Sequence, residues 1–497
     1  MTMLAYRDLR DWLSRVEGMG QLRVIEGADP ELEIGVLTEI NARRSSSPAF
    51  LFDKIKGYEP GFRVLTGLLL TRERLALTYG LPTDLSEGEL VDRLRGKPME
   101  WENKSRDFPP QWVEIGPVLQ NIQRGEDVNV LKFPTPRWHE LDGGRYIGTG
   151  CAVITKDPDS GLVNLGTYRI QIVDGKRVTL YISPGKHGRI HYEKYHARGG
   201  PCPVAVSVGH DPLAFVAAAL EVPTGICEYN YMGAIAGEPY KVVRGPVTGL
   251  PIPASAEIVL EGWCYPRETH EEGPFGEWTG YYASGVRPAP VIQVQCVMHR
   301  NDPIMVGVPP NRPPHDYSYM RSVLRSAMLF DALAKAGVPD VRGVWCHEAG
   351  GSRLILIVSI KQRYPGHARQ AGFVASQCQV GAYLGRYVIV VDEDIDPANT
   401  FDVLWALATR SDPAKDIDII RRAWSGPLDP IIPRGPEVGF NSRAIIDACK
   451  PYEWIDKFPA VSESSPALRA QMIGKWGKIL GWETEPPGSA HAAERLE

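Results

Sequence analysis

The sequence contains no C-x-x-C pair. Its eight cysteines, Cys151, Cys202, Cys227, Cys264, Cys296, Cys346, Cys378 and Cys449, are scattered over 497 residues. That spacing excludes a zinc knuckle and a disulfide frame, and it predicts reduced thiols in a cytoplasmic protein. No uninterrupted apolar run reaches the ~18 residues that a bilayer-spanning helix requires, so no membrane segment is expected. The start, "MTMLAYRDLRDWL", is charged and amphipathic and lacks the apolar core of a signal peptide. A long basic run is also missing, and the formal net charge is -5, which argues against a nucleic-acid partner.

What is present is a globular composition, 43% hydrophobic and 23% charged, enough for a large core. The length predicts about two to four domains. Fifty glycines and 42 prolines, without a repeat, predict many turns and much β-structure. Residues 6 to 17 read as an amphipathic helix with Leu9, Trp12, Leu13 and Val16 on one stripe. A strand in "QLRVI", a helix in "PELEIGVLTEINARR" and strands in "AFLFDKI" and "FRVLTG" follow. From about 110 to 310, short β-like runs dominate, with Asp174-Gly175 marking a hairpin and "DPLAFVAAALE" one helix. A barrel or open barrel is the expectation there. Residues 316 to 336 read as one helix, and strands then alternate with helices at "LILIVSI", 366 to 384, "YVIVVDEDID" and "TFDVLWALATR". The stretch "PALRAQMIGKWGKILGW" reads as an amphipathic helix that needs a surface to dock on.

Two stretches carry chemistry. In "ETHEEGPFGEWTGYY", residues 268 to 282, Glu272 and Glu277 bracket a Gly-Pro-Phe-Gly turn among aromatics. Two acids so close are costly unless the site uses them; the alternative is an exposed acidic turn. In "NLGTYRIQIVDGKRVTLYISPGKHGRIHY", residues 164 to 192, Asn164, Arg169, Lys186 and His187 fall on β-like runs. Arg169 lies five residues after Asn164, so a regular strand would turn them to opposite faces unless Gly166 opens a bulge. Lys186 and His187 follow "SPG" and are expected at a sheet edge, either as site residues or as solvated hairpin groups. Glu228, in the apolar run "GICEYNYMGAIAGEP", is a strand-surface residue or a ligand. Asn, His and Glu offer the oxygen and nitrogen donors that Mn²⁺ or Mg²⁺ accept. A rival metal set is the acidic run Asp392, Glu393 and Asp394, which would suit a Mn²⁺-dependent hydrolase or simply feed the next helix cap. His315, after "PPNRPP", either lines a pocket or sits in a loop.

Taken together these stretches resemble the UbiD family of prenylated-FMN-dependent decarboxylases. The resemblance runs through "YRDLRDWLSRVEGMGQLRVI", "NLGTYRIQ", "GICEYNYMGAIAGEP", "LPIPASAEIVLEG", "EEGPFGEWTGYY", "VSIKQRYPGHARQ" and "VVDEDIDPANTFDVLWALATRSDP", in order. It implies a mixed α+β fold: an N-terminal α/β unit (1–110), a split β-barrel holding the flavin (111–315), a linker helix (316–338), an α/β oligomerisation domain (339–440) and a helical tail (441–497). It implies that Asn164, His187 and Glu228 hold Mn²⁺ or Mg²⁺ at the cofactor phosphate, with K⁺ alongside. It places Thr167, Tyr168, Arg169, Lys186 and Lys361 around the cofactor, and it makes Arg169, Glu272 and Glu277 the catalytic network. Arg169 would orient the substrate carboxylate and Glu277 would donate the proton. Asn311, His315 and the loop 428–432 are candidates for substrate selection. The implied reaction is reversible loss of CO₂ from an indole-, pyrrole- or phenol-type carboxylic acid in a homodimer or hexamer, with a flavin prenyltransferase supplying the cofactor. A non-catalytic flavin-binding subunit or an FMN reductase is the alternative.

Overall fold

The structure, a computed structural model, describes residues 4–220, 222–426, 428–432 and 439–482. The end of the expected tail, 483–497, lies outside the described residues. The chain divides into two compact units, residues 4–85 with 97–320, and residues 86–96 with those from 321 onward.

The first unit opens with the amphipathic helix Leu9–Gly18, capped by the Asp8 side chain and buried through Leu9, Trp12, Leu13 and Val16. Strands Leu22–Glu26, Ala49–Asp53, Arg63–Thr66 and Ile304–Gly307 form a four-stranded mixed sheet, so a distant segment completes the N-terminal one. A seven-stranded sheet lies at the centre of this unit. Its order runs from Arg177–Thr179 through Arg287–His299, Ile258–Glu272, Cys202–Gly209 and Ala152–Lys156 to Val163–Gly166, with Asn121–Arg124 added on Arg287–His299. The path is open, and among the described residues no strand pair joins its ends. Tyr146–Gly148 and Ile170–Gln171 make a separate two-stranded ladder. Trp138, Phe133, Tyr146 and the inward faces of the long strands pack one continuous core. Cys202–Gly209 is buried at every position, and Ile258–Glu272 is buried over its first half and alternates only towards its end.

Two expectations change here. Lys186 and His187 are not at a sheet edge: Gly185 takes a positive φ of 83°, Lys186 stands at the N-cap position without a side-chain cap, and His187–Ala197 is a helix. Glu228 is not on a strand: Glu228–Ala236 is a helix buried on nearly all sides, so it shows no amphipathic period.

The second unit is a five-stranded mixed sheet, Val341–Cys346, Ile355–Ile360, Tyr387–Asp392, Phe440–Ala448 and Ile417–Trp424, packed by helices His367–Gln377 and Thr400–Arg410. The long helix Asp316–Lys335 forms where its pattern predicts. All eight cysteines are free thiols. No helix of the described residues is long and apolar enough to cross a membrane.

Candidate active site

The strands Ile258–Glu272 and Arg287–His299 run antiparallel, and Glu272 and Arg287 are register partners at the end of their ladder. The connection between them, 273–286, carries Glu277. Glu277 is held in its turn by its own N–H donating to the Tyr281 carbonyl at 3.0 Å, while its carbonyl accepts from Gly280 at 2.8 Å.

Arg169 reaches this hairpin from the segment between Val163–Gly166, in the large sheet, and Ile170–Gln171, in the small one. The chain changes sheets at Gly166, so the strand-face argument for Asn164 and Arg169 does not apply. A Cβ on Gly166 would lie 2.2 Å from the Tyr168 ring, which packs over it. Arg169 Nη2 donates to Glu272 Oε2 at 2.8 Å, and Nη1 donates to Glu277 Oε1 at 3.1 Å. Arg169 Nε stands 2.8 Å from Glu272 Oε1, a close ionic contact outside hydrogen-bond geometry. One guanidinium therefore joins both acids of the sequence motif.

The Glu272 side chain is fully buried, and Tyr146 donates its hydroxyl to Glu272 Oε1 at 2.9 Å. Burial, then Glu272, pushes the Tyr146 phenol well above its usual value, so it remains a donor. Gln171 ties the hairpin to the wall: its Oε1 accepts from Gly273 N–H at 3.2 Å and its Nε2 donates to the Gly143 carbonyl at 3.3 Å. Phe275 stacks on Tyr146 with centroids 3.8 Å apart. Gly143 is required by close approach, because a Cβ there would fall 1.9 Å from the Gly273 carbonyl oxygen. Burial raises the Glu277 carboxyl above the ordinary carboxylate range; Arg169 and Arg287 pull it down and Glu272 pushes it up, and the net direction is up.

Asn164, His187 and Glu228 come from a strand and two helix N-termini, and contacts through neighbours draw them together. Glu228 Oε2 accepts from Leu165 N–H at 2.8 Å. Asn164 Nδ2 bonds the Tyr168 hydroxyl at 3.3 Å, which also accepts from Gly188 N–H at 3.4 Å. His187 Nε2 stands 3.2 Å from Thr224 Oγ1. Burial pushes the Glu228 carboxyl up to about 8. Burial, then Lys186, holds the His187 imidazole below its ordinary value. Thr167 Oγ1 is buried without a hydrogen-bond partner. A buried carboxylate beside an amide, an imidazole and an orphaned hydroxyl fits a hard cation and a phosphate. Among the described residues no group of three or more His, Cys, Asp or Glu gathers to hold a metal.

The other candidates are dispersed. His315 is buried and its Nε2 donates to the Trp278 carbonyl at 3.2 Å, bracing the Glu277 loop. Asn311 Oδ1 accepts from His139 Nε2 at 2.7 Å, and Tyr282 donates to Asp142 beside it at 2.9 Å. Lys361 belongs to the second unit, its ammonium 3.7 Å from Glu393. Asp392 and Asp394 are taken up by Arg410, at 3.2 and 2.8 Å, and Asp394 also by Lys450 at 2.7 Å, so this run is a structural ion-pair network. Tyr146, Gln171, Tyr181 and Arg287 were not legible as site residues. Only Arg287 left a trace, as a cation where the chain returns from the Glu277 loop to a β-like run.

An arginine thus joins one fully buried acid and one part-buried acid under a packed hairpin, and comparison with known proteins gives the chain a class. Three domain profiles of 3-octaprenyl-4-hydroxybenzoate carboxy-lyase match in order: the N-terminal domain over 13–94, the Rift-related domain over 111–313 and the C-terminal domain over 318–448. The protein is a carboxy-lyase, a decarboxylase by class. The chain is 32% identical over 490 residues to the pyrrole-2-carboxylic acid decarboxylase of Pseudomonas aeruginosa, covering 94% of this chain and 97% of the relative. It is 34% identical to the phenolic acid decarboxylase of Bacillus subtilis, covering 90% and 93%. Among solved structures, the UbiD-class enzyme HmfF from Pelotomaculum thermopropionicum with FMN superposes at a TM-score of 0.83 with 30% identity, covering 95% and 100%. An evolved dimeric form of that enzyme with prFMN superposes at 0.78 with 28% identity, covering 94% and 98%. The chain belongs to the UbiD family.

Proposed function

We propose that this chain removes CO₂ from an aromatic or heteroaromatic acid of pyrrole, indole or phenol type, with prenylated FMN as cofactor. The observation that carries the reading is Arg169 held between Glu272 and Glu277, one acid fully buried as an acceptor and the other raised above the carboxylate range. The substrates named for the P. aeruginosa and B. subtilis relatives, and the flavins bound in HmfF, support it.

When bound, prenylated FMN supplies an electron sink for the carbon that loses CO₂. Asn164, His187 and Glu228 would hold Mn²⁺ or Mg²⁺ at its phosphate, with K⁺ beside it, and Thr167, Tyr168 and Lys186 would line the same pocket. Arg169 orients the substrate carboxylate by charge-assisted hydrogen bonds. Glu272, fixed by Tyr146 and Arg169, keeps that guanidinium in place. Glu277 delivers the proton that replaces CO₂; a general acid must be neutral to do so, and its burial favours the neutral form. Asn311 and His315 set the walls against which the ring is selected, through His139 and Trp278 respectively.

The test is production alongside a flavin prenyltransferase, mass measurement of the released flavin, and CO₂ release from pyrrole-2-carboxylate, indole-3-carboxylate and phenolic acids. Prenylated FMN with CO₂ from one of these acids is the expected result. Plain FMN and no CO₂, with an active prenyltransferase, would replace the reading by that of a flavin-binding subunit.

A further inference from the structure

Arg287 is a second cation at the base of the hairpin, hydrogen-bonded to neither Glu272 nor Glu277 among the described residues. It faces Glu272 across the ladder, and its Nε lies 3.9 Å from Glu272 Oε2, beyond hydrogen-bond reach. Its Nη1 donates to the Tyr181 hydroxyl at 2.7 Å, and its guanidinium carbon sits 3.8 Å from the Tyr181 ring centroid. The same ring has Arg169 at 4.8 Å, so Tyr181 lies between two guanidinium groups. Arg287 Nε and Nη2 are buried and have no hydrogen-bond partner. Neither nitrogen is spent on a hydrogen bond, which leaves both free to act on the acids of the site.

The charges decide what Arg287 does there. The charged groups that face Glu277 are Arg169, Glu272 and Arg287, and the titratable side chains packed against these are Tyr146 and Tyr181. With Arg169 alone, Glu272 cancels the positive charge, and a neutral Glu277 leaves nothing to balance a carboxylate brought beside it. With Arg287 the cluster carries one net positive charge, the complement of one carboxylate.

We propose that Arg287 is a positioning residue of this site: it supplies the second positive charge that lets a carboxylate enter beside protonated Glu277, and it then stabilises the charge left on Glu277. The inference rests on the decarboxylase reading. In that reaction the bond between the substrate carbon and its carboxylate breaks and CO₂ leaves neutral. The electron pair of that bond ends in a new C–H bond, whose proton comes from Glu277. The negative charge therefore passes from substrate to Glu277, both within the field of Arg287, and the net charge of the site does not change. This matches the lowering influence of Arg287 on the Glu277 carboxyl.

The experiment compares holoenzyme carrying Arg287→Gln and Arg287→Lys with the unsubstituted enzyme, across pH, on whichever of pyrrole-2-carboxylate, indole-3-carboxylate and the phenolic acids the latter decarboxylates. Loss of the charge should raise KM about tenfold or more. It should also move the alkaline limb of kcat/KM up by about one pH unit, because a positive neighbour that favoured ionised Glu277 is gone. Lysine should restore both. If Arg287→Gln does not fold, Arg287→Met, which keeps the stem over Tyr181, reads the same limb. A Gln or Met variant with an unmoved limb and KM overturns the proposal, as does a Lys variant that behaves like the neutral ones. An unsubstituted enzyme that releases no CO₂ from any of these acids overturns the underlying reading instead, before any variant is measured.

Discussion

Tyr146 donates its hydroxyl to Glu272 at 2.9 Å, and this makes the two acids on Arg169 unequal. Glu272 is fully buried and accepts from both a phenol and a guanidinium. Glu277 accepts from that guanidinium through one nitrogen at 3.1 Å, on a loop rather than a ladder. One acid is fixed as an anchor, and the other is the candidate proton donor of the proposed reaction.

Glu277→Gln should therefore lower kcat by about 10²- to 10⁴-fold, the usual contribution of a positioned general acid. KM should change little, since the amide keeps the shape and the contact to Arg169. Rates of CO₂ release at saturating substrate decide the point; an unchanged kcat would remove Glu277 from the role of donor.

The pH dependence follows from the same residue. Its carboxyl is raised, so it is neutral to a higher pH than an ordinary glutamate and loses its proton as pH rises through that raised value. Activity should be retained on the acid side of that value and fall on the alkaline side. The profile of kcat/KM should show this limb above the ordinary glutamate pKa of about 4.3. A limb at the ordinary glutamate value would mean that burial does not govern this acid.

His187→Ala should lose metal and flavin together, because both are assigned to one shared site. Elemental analysis and flavin absorbance on the purified variant read the two losses separately. Retention of both would contradict the shared site.

Gly143→Ala tests the wall of the hairpin. The added methyl would meet the Gly273 carbonyl oxygen at 1.9 Å, between backbones that have little room to move. Stability should fall by about 1–3 kcal/mol, the range for overpacking. Turnover should fall about 10²-fold in the fraction that folds, because the displaced segment carries Glu277. Denaturant melts and kcat measured on the same preparation separate the two effects.

Much of this was legible in the sequence, and the rest failed for identifiable reasons. The helices Leu9–Gly18, Asp316–Lys335 and Thr400–Arg410 announced themselves by period or cap, and Pro212–Ala219 by its alanine-rich run. The helix Glu228–Ala236 did not, since burial on all sides erases an amphipathic stripe. The helix His187–Ala197 was readable in principle: Gly188, His191 and Tyr192 are buried and follow helical spacing. Glu272 and Glu277 stood out because acids around a rigid turn are rare. Arg169 joins them across more than 100 residues, a contact that no local spacing encodes. Tyr146 and Gln171 act through one hydrogen bond each to the acids or their loop, and nothing in their neighbours' sequence marks them.

The hairpin has a locked base and an open tip. Glu272 is buried where the strands pair, whereas Tyr281 is 62% and Val286 55% exposed. Heritable change is thereby partitioned. Side chains that project from the tip into solvent can change without disturbing the paired base of the hairpin. For laboratory evolution, this makes exposed positions such as Tyr281 and Val286 the ones to diversify, and the pairing of residues 272 and 287 the part to leave alone.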